Sequence, residues 1–218
     1  MVKGLTAVID YGMGNLRSVQ KALEKVGSRA IIANNSAQIS DASSIVLPGV
    51  GAFANCMNNL EKLGLVDSIY RAIEAGKPFL GICLGLQILF TESEEFGNPK
   101  GLDIIKGRVV RLPTNFPGAG SNNPEQRARL KVPHMGWNSL KFRKRAPVYD
   151  HIDDGSYLYF VHSFYVVPED ENIISTTTTY GIEFTSSIWK DNIIAMQFHP
   201  EKSQELGLQI LKNFSKLK

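Results

Sequence analysis

The sequence predicts an α/β fold, with a mostly parallel open sheet flanked by helices on both faces. The main observation is that short apolar runs alternate with segments of helical apolar spacing in the first half of the chain, the order typical of a parallel sheet. After Phe96 strand-like runs dominate, which predicts an added antiparallel β part in the C-terminal half. At 218 residues, we expect a single domain over 1–218.

The predicted elements follow from apolar spacing and from the glycines that end helices. In the first half we predict strands at 5–10, 30–33, 45–47 and 79–82, and helices at 15–26, from Phe53 onward, and at 65–75. Helical spacing also continues after Cys83, through Phe90. In the second half we predict strands at 104–112, 138–142, 157–161, 173–179, 184–189 and 193–198, then a helix at 203–217 with Ser203 as its N-cap. Residues 113–129, rich in Pro, Gly, Asn and Ser, predict a mobile surface loop.

Composition excludes several function classes. A net charge of +3 without interleaved aromatic residues argues against nucleic-acid binding. Two cysteines do not form a disulfide framework, and the four scattered histidines lack metal-ligand spacing. No run approaches the ~18 apolar residues of a membrane span, and the N-terminus reads as a strand rather than a signal peptide. We therefore expect a cytoplasmic protein that binds neither membranes nor nucleic acid.

Cys83 is the candidate nucleophile. It lies between a predicted strand and a helical segment, with Gly81 and Gly85 at the flanking positions where a nucleophile elbow needs small residues. Such a turn exposes the nucleophile at the end of the strand, and the N-terminus of a helix favours a thiolate. The alternative is a buried cysteine between two tolerated glycines.

A candidate base and its partner lie near the C-terminus. His199 ends an apolar strand, and Glu201 follows after Pro200, which restricts the backbone between them. A cysteine nucleophile needs a base, and the base needs a group that fixes its tautomer. A structural histidine and an exposed carboxylate are the alternatives.

A third motif could supply an oxyanion hole. An apolar strand runs into the turn Gly49-Val50-Gly51, whose Val50 N–H can point toward a developing oxyanion. The N–H of Leu84, directly after the nucleophile, is the second candidate donor. An ordinary strand-to-helix turn is the alternative.

Together the motifs at 48–51, 81–87 and 198–203 resemble the class I, triad-type glutamine amidotransferases over residues 8–214. The stretches 11–16, 133–138 and 159–163 are most similar to the glutaminase subunits of imidazole glycerol phosphate synthases from histidine biosynthesis. The resemblance implies a Cys83–His199–Glu201 triad that hydrolyses glutamine to glutamate and ammonia, without a cofactor or metal. It also implies substrate contacts from the following positions: Gly51, Gln87, Glu95, Ser163 and Phe164.

The resemblance further implies a heterodimer. In that family the glutaminase docks on a (β/α)₈-barrel cyclase, which uses the channelled ammonia to make imidazole glycerol phosphate and AICAR from PRFAR. The positions that match the family's docking face are Asn15, Trp137, Tyr159 and Lys202.

Three other functions remain open from the sequence. The chain could serve a different synthase, such as one that amidates surface-polysaccharide sugars, since the shared motifs hardly separate the two. A degenerate, non-catalytic regulatory subunit is disfavoured by the intact Cys83, His199 and Glu201. A stand-alone cysteine hydrolase is disfavoured by the stretches 133–138 and 159–163, which resemble docking elements.

Overall fold

A computed structural model describes residues 4–114 and 130–217. The predicted loop at 113–129 falls almost entirely outside the described residues, apart from Pro113 and Thr114. The described part confirms the predicted fold class: a mostly parallel sheet with helices on both faces, extended by antiparallel strands.

The strands of the described residues are β1 (Leu5–Ile9), β2 (Arg29–Ala33), β3 (Ser44–Gly49), β4 (Phe79–Cys83), β5 (Phe90–Ser93), β6 (Ile105–Arg111), β7 (His134–Ser139), β8 (Lys141–Phe142), β9 (Tyr157–His162), β10 (Phe164–Pro168), β11 (Ile174–Tyr180), β12 (Ile182–Lys190) and β13 (Ile193–Met196). Eleven of them form one sheet, and β7 and β9 form a separate antiparallel pair. The parallel half of the large sheet has the order β2-β1-β3-β4-β13, and β12, β10, β6 and β5 continue the sheet on the far side of β13. Strand β11 also pairs with β12, and β8 pairs with β11.

The described helices are α1 (Leu16–Lys25), α2 (Ser36–Asp41), α3 (Phe53–Lys62), α4 (Val66–Glu74), α5 (Leu84–Gln87) and α6 (Gln204–Phe214). They cover both faces of the sheet, because the central strands β1, β3, β4 and β13 are almost entirely buried. One core contains residues of α3 and α4, and the other contains residues of α1 and α6. None of the described helices is long and apolar enough to cross a membrane.

Four elements differ from the sequence prediction, and one of them is the strand β10 (Phe164–Pro168), which the prediction missed. The predicted strand 138–142 is wrong: His134–Ser139 belongs to the separate two-stranded sheet, and Lys141–Phe142 pairs with β11 in the large sheet. The helical spacing through Phe90 is also misleading, because the helix ends at Gln87 and Phe90–Ser93 pairs with β6. The sequence prediction also missed α2, although Asn35 caps it through the backbone N–H of Gln38 at 3.0 Å.

Close backbone packing fixes the turn from β4 into α5. A Cβ atom at Gly85 would lie 1.8 Å from the carbonyl oxygen of Leu47 on β3, and one at Gly81 would lie 2.7 Å from the carbonyl oxygen of Gly85. Both glycines are therefore required by space. Cys83 itself has a φ of 55°, in the left-handed region that side chains rarely adopt.

We predict that Gly85→Ala lowers the free energy of unfolding by at least about 3 kcal/mol, because its methyl group would collide with rigid backbone rather than with a flexible side chain. The measurement is urea unfolding followed by circular dichroism. Gly64→Ala is the control: unlike Gly85, this glycine has a positive φ, but it has open space around it, so we expect a loss of only about 1 kcal/mol. Equal losses in the two variants would contradict the packing argument.

Candidate active site

Three neighbouring strands bring the sequence-predicted residues together. In the sheet β3 pairs with β4 and β4 pairs with β13, all parallel, so their carboxyl ends share one edge. Gly49 lies directly opposite Cys83 in this register, and Met196 lies opposite Ile82. The turn after β3, the elbow after β4 and the His199 segment after β13 therefore meet at this edge, as expected for an open α/β sheet.

Cys83 lies at this edge of the sheet, at the carboxyl end of β4, but it is only 7% exposed. Its sulfur is 3.8 Å from the carbonyl oxygen of Val161 and 3.6 Å from Nε2 of Gln197. The following helix has only four residues, so the expected stabilisation of a thiolate by a helix dipole is small. The groups that stabilise a thiolate here must come from other elements.

His199 and Glu201 form a buried pair on the turn that follows β13. Nδ1 of His199 lies 2.9 Å from Oε1 of Glu201, and both side chains are almost completely buried. Burial by itself would lower the pKa of His199, but the negative charges of Cys83 and Glu201, together with the hydrogen bond to Glu201, outweigh burial and raise that pKa. A raised pKa of His199 favours an imidazolium beside the sulfur, which is the state that a thiolate nucleophile needs.

The turn that carries His199 is tied to β9. The backbone N–H of His199 donates to the carbonyl oxygen of Tyr159 at 2.9 Å, and the hydroxyl of Ser203 donates to the carbonyl oxygen of His199 at 2.6 Å. The same hydroxyl accepts a hydrogen bond from the backbone N–H of Tyr159 at 3.0 Å. Ser203 precedes α6 as predicted, but its side chain does not cap the helix. It holds the His199 turn against β9 instead.

A cavity of about 460 Å³ opens in front of Cys83. It is lined by all the residues expected at the oxyanion hole and the substrate site, together with Cys83, His199 and Lys202. Glu201 is not in the lining, since it lies behind His199. The sequence interpretation missed three lining residues, Pro133, Val161 and His162. The expected lining residues are Val50, Gly51, Leu84, Gln87, Glu95, Ser163 and Phe164.

Two polar side chains of the cavity already have protein partners. Oε2 of Glu95 accepts the backbone N–H of Phe53 at 2.6 Å, at the start of α3. Nε2 of Gln87 donates to the carbonyl oxygen of Phe164 and to Oε1 of Gln197, both at 3.0 Å. Because an amide nitrogen carries two hydrogens, the donors of Gln87 are both used, and only its Oε1 is left to face a ligand.

The residues expected at a docking face lie beside the cavity. Trp137 and Tyr159 are directly opposite each other in the β7–β9 pair, with ring centroids 6.1 Å apart. Nζ of Lys202 lies 5.9 Å from the centre of the Tyr159 ring. Asn15 is exposed at the start of α1, the helix that packs against the turn Pro200–Lys202.

One face of the β7–β9 pair is buried, and the other is exposed and apolar. Met135, Trp137 and Tyr157 on the outer face are 64%, 45% and 57% exposed, whereas Phe160 and His162 on the inner face are buried. Exposed apolar patches are common at interaction surfaces.

A buried pair of histidines underlies that inner face. His162 Nδ1 donates to the carbonyl oxygen of Phe164 at 2.8 Å, so its Nε2 must accept the hydrogen of His134 Nδ1 at 2.9 Å. Nε2 of His134 then accepts from the amide of Asn138 at 3.2 Å. Burial lowers the pKa of His134 to about 4 and that of His162 to about 3, which keeps both rings neutral.

Within residues 4–114 and 130–217, no group of three or more His, Cys, Asp or Glu side chains is placed to hold a metal ion. Cys56 and Cys83 are both free and lie in different parts of the core, Cys56 being completely buried. The site therefore offers a thiol, an imidazole, carboxylates and backbone N–H groups as its chemistry.

Comparison with known proteins gives a consistent result. The model of the family described as glutamine amidotransferase class-I matches residues 7–217. The imidazole glycerol phosphate synthase subunit HisH of Geobacter sulfurreducens is 54% identical over 97% of this chain and 98% of its own length. The subunit of the same name from Aquifex aeolicus is 52% identical over 97% of this chain and 96% of its own.

Solved structures agree on the fold. A crystal structure of a glutamine amidotransferase superposes with a TM-score of 0.70 at 14% identity, covering 97% of this chain and 99% of that one. The structure of PurLQS from Thermotoga maritima gives a TM-score of 0.69 at 19% identity, covering 98% of this chain and 96% of that one. At these identities the likeness concerns the fold alone.

The neutral histidine pair predicts a dependence of stability on pH. In the unfolded chain both rings take up protons near pH ~6.5, whereas the folded pKa values are about 4 and about 3. Their contribution is therefore present above pH ~6.5 and is lost as the pH falls toward the folded pKa values. We expect His162→Asn to reduce the slope of unfolding free energy against pH, between pH 6.5 and 4.5, by up to about 1.4 kcal/mol per pH unit.

The measurement is urea unfolding at a series of pH values, and the comparison of slopes removes the intrinsic effect of the substitution. His151→Asn, at an exposed surface position with a positive φ that Asn tolerates, is the matched control. If the His162→Asn variant keeps the slope of the parent chain, the histidine pair is not the source of the dependence.

Proposed function

This chain belongs to the class I glutamine amidotransferases, and from that premise we propose that it is the glutaminase subunit of an imidazole glycerol phosphate synthase in histidine biosynthesis. The observation that carries the proposal is the cavity of about 460 Å³ in which Cys83 faces the buried His199–Glu201 pair. The relatives of that name, at 52–54% identity over nearly their full length, support the choice of synthase. We also propose that residues 1–218 form one domain.

The first half of the reaction forms a thioester. The Cys83 thiolate attacks the side-chain carbonyl carbon of glutamine, and the carbonyl oxygen becomes an oxyanion. The N–H groups of Val50 and Leu84 are the proposed oxyanion donors, because the turn after β3 lies beside the elbow after β4. His199 gives its Nε2 proton to the departing nitrogen, which leaves as ammonia, while Glu201 holds Nδ1.

The second half releases glutamate. His199, now neutral, takes a proton from water, and the resulting hydroxide attacks the thioester carbon. The carbon–sulfur bond breaks, glutamate leaves and Cys83 returns as a thiolate beside the protonated imidazole. The raised pKa of His199 suits it to hold the proton between turnovers.

The cavity has groups for both ends of the amino acid. The carboxylate of Glu95 and Oε1 of Gln87 are acceptors, so we assign them to the α-ammonium group. The backbone at Gly51 and at Ser163–Phe164, on the cavity wall, would provide donors for the α-carboxylate. The hydrogen bond that Glu95 accepts from the N-terminus of α3 also fixes the orientation of its carboxylate.

The proposed partner is a (β/α)₈-barrel cyclase that covers the cavity and receives the ammonia. The exposed apolar face of β7–β9 adjoins the cavity mouth, so a partner that buries it would also seal the site from water. We propose Asn15, Trp137, Tyr159 and Lys202 as contact residues. A cytoplasmic location is part of the proposal, because a reducing compartment keeps a thiol nucleophile active.

The test is glutamate release from glutamine by the purified chain, alone and with a histidine-pathway barrel cyclase and its nucleotide ligand. We expect strong stimulation by the partner, and a loss of at least about 10³-fold in Cys83→Ala because no other group can form the thioester. Cys56→Ala is the control, since this cysteine is buried away from the cavity. Turnover retained in Cys83→Ala would refute the mechanism, and activity without stimulation would point to a different synthase.

Trp137→Ala tests the docking face. A large, 45% exposed aromatic side chain at the centre of an interface is typical of a binding hot spot, so we expect the Kd for the cyclase to rise roughly 30-fold, or about 2 kcal/mol. Isothermal titration calorimetry measures it. Trp189→Ala is the control, because Trp189 pairs with Ile194 near the amino end of β13, opposite to the site. Equal losses in both variants would remove Trp137 from the interface.

A further inference from the structure

Gln197 is completely buried, and its side chain points at the nucleophile. It follows Met196 at the end of β13, which pairs with β4, and this pairing brings it beside Cys83. Its Nε2 lies 3.6 Å from the Cys83 sulfur. The mechanism above assigns Gln197 no role, although a buried amide in contact with the attacking atom must affect it.

The hydrogen bonds around Gln197 leave one orientation for its amide. The carbonyl oxygen of Phe164 can only accept, so the atom of Gln87 that faces it is the amide nitrogen. That same nitrogen lies 3.0 Å from Gln197, and the atom of Gln197 that meets it must be the oxygen. The nitrogen of Gln197 is thereby directed at the sulfur, so that an N–H group and not a carbonyl oxygen faces Cys83.

The two polar neighbours of the sulfur favour opposite protonation states. The carbonyl oxygen of Val161 at 3.8 Å can only accept, so it favours the S–H form. The N–H of Gln197 donates, so it favours the thiolate. Since α5 is too short to supply a strong helix dipole, this N–H and the imidazolium of His199 are the groups that oppose Val161, and the N–H of Gln197 is the one that lies within hydrogen-bonding distance of the sulfur.

We propose that Gln197 is a positioning residue for the nucleophile: its amide N–H, oriented by Gln87, holds the Cys83 sulfur as a thiolate at the end of the cavity where glutamine binds. The inference rests on the proposed function for its place in catalysis. It also gives Gln87 two roles, since Gln87 fixes the amide of Gln197 and presents its own oxygen to the cavity.

The variants Gln197→Met and Gln197→Glu separate this role from space filling. Methionine has a similar volume but no donor, whereas glutamate keeps an oxygen for Gln87 and places a negative charge beside the sulfur. We expect iodoacetamide to alkylate Cys83 about tenfold more slowly at pH 7 in Gln197→Met, and more slowly still in Gln197→Glu, with the pH profile of alkylation moved to higher pH.

The measurement is mass spectrometry of the Cys83 and Cys56 peptides after timed alkylation of the full chain. Cys56 is completely buried, and burial raises its pKa to about 12, so its alkylation reports loss of the fold. Ser186→Ala is the matched control: Ser186 is equally buried on the neighbouring strand β12, and its hydroxyl bonds to Thr176, not to the sulfur. We expect iodoacetamide to alkylate Cys83 of this variant at the rate of the parent chain.

Steady-state kinetics with the barrel cyclase provide the second measurement. For Gln197→Met we expect kcat for glutamate release to fall about tenfold and KM to stay within twofold, since the N–H contacts the nucleophile and not the substrate. If Cys83 is alkylated at the parent rate in both variants while Cys56 stays protected, the proposal is overturned. Alkylation does not need glutamine, so slower alkylation in a chain that never hydrolyses glutamine would support the role of Gln197 and refute the proposed function instead.

Discussion

The site depends on the close approach of the β4–α5 turn to the backbone of β3. Gly49, Gly81 and Gly85 meet there, and a methyl group on any of them would lie within 2.7 Å of a neighbouring atom. This approach forces the chain to turn at Cys83, whose φ of 55° carries a backbone strain of about 1–2 kcal/mol. The strain is held by the surrounding sheet, and it places the sulfur at the sheet edge where the turns after β3 and β13 also end.

The second constraint is electrostatic. A thiolate in an almost buried position needs compensation, and the four-residue α5 offers little of it. The compensation comes from β13 and the turn after it, where Gln197 directs an N–H at the sulfur and His199 holds a proton against Glu201. Because β13 is hydrogen-bonded directly to β4, these groups are fixed relative to the nucleophile by sheet register rather than by flexible loops.

The proposed docking face and the active site share backbone. Tyr159 lies on the exposed face of β7–β9, and its carbonyl oxygen and N–H are both tied to the His199 turn, the N–H through Ser203. On the inner face, the chain from Asn138 through His134 and His162 ends on the carbonyl oxygen of Phe164, which also accepts from Gln87. A displacement of this two-stranded sheet by a partner would therefore reach the proposed triad and the cavity wall through few hydrogen bonds.

The sequence by itself determined the fold class, the order of the main strands and the motifs that supply Cys83, His199 and the glycine turn, because apolar periodicity and glycine placement are local signals. It missed β5 and β10 and misplaced β7. For β5 the reason is that the residues around Phe90 have helical spacing, and only their pairing with β6 makes them a strand. The capping pattern Asn35–Gln38 could have identified α2. The motifs that contain Ser203, His134 and His162 did not indicate what these side chains contact, and the sequence analysis assigned Gln197 no role. Only the tertiary structure decided their roles, because each acts through a hydrogen bond to a residue on a different strand or turn, and that pairing is set by sheet register.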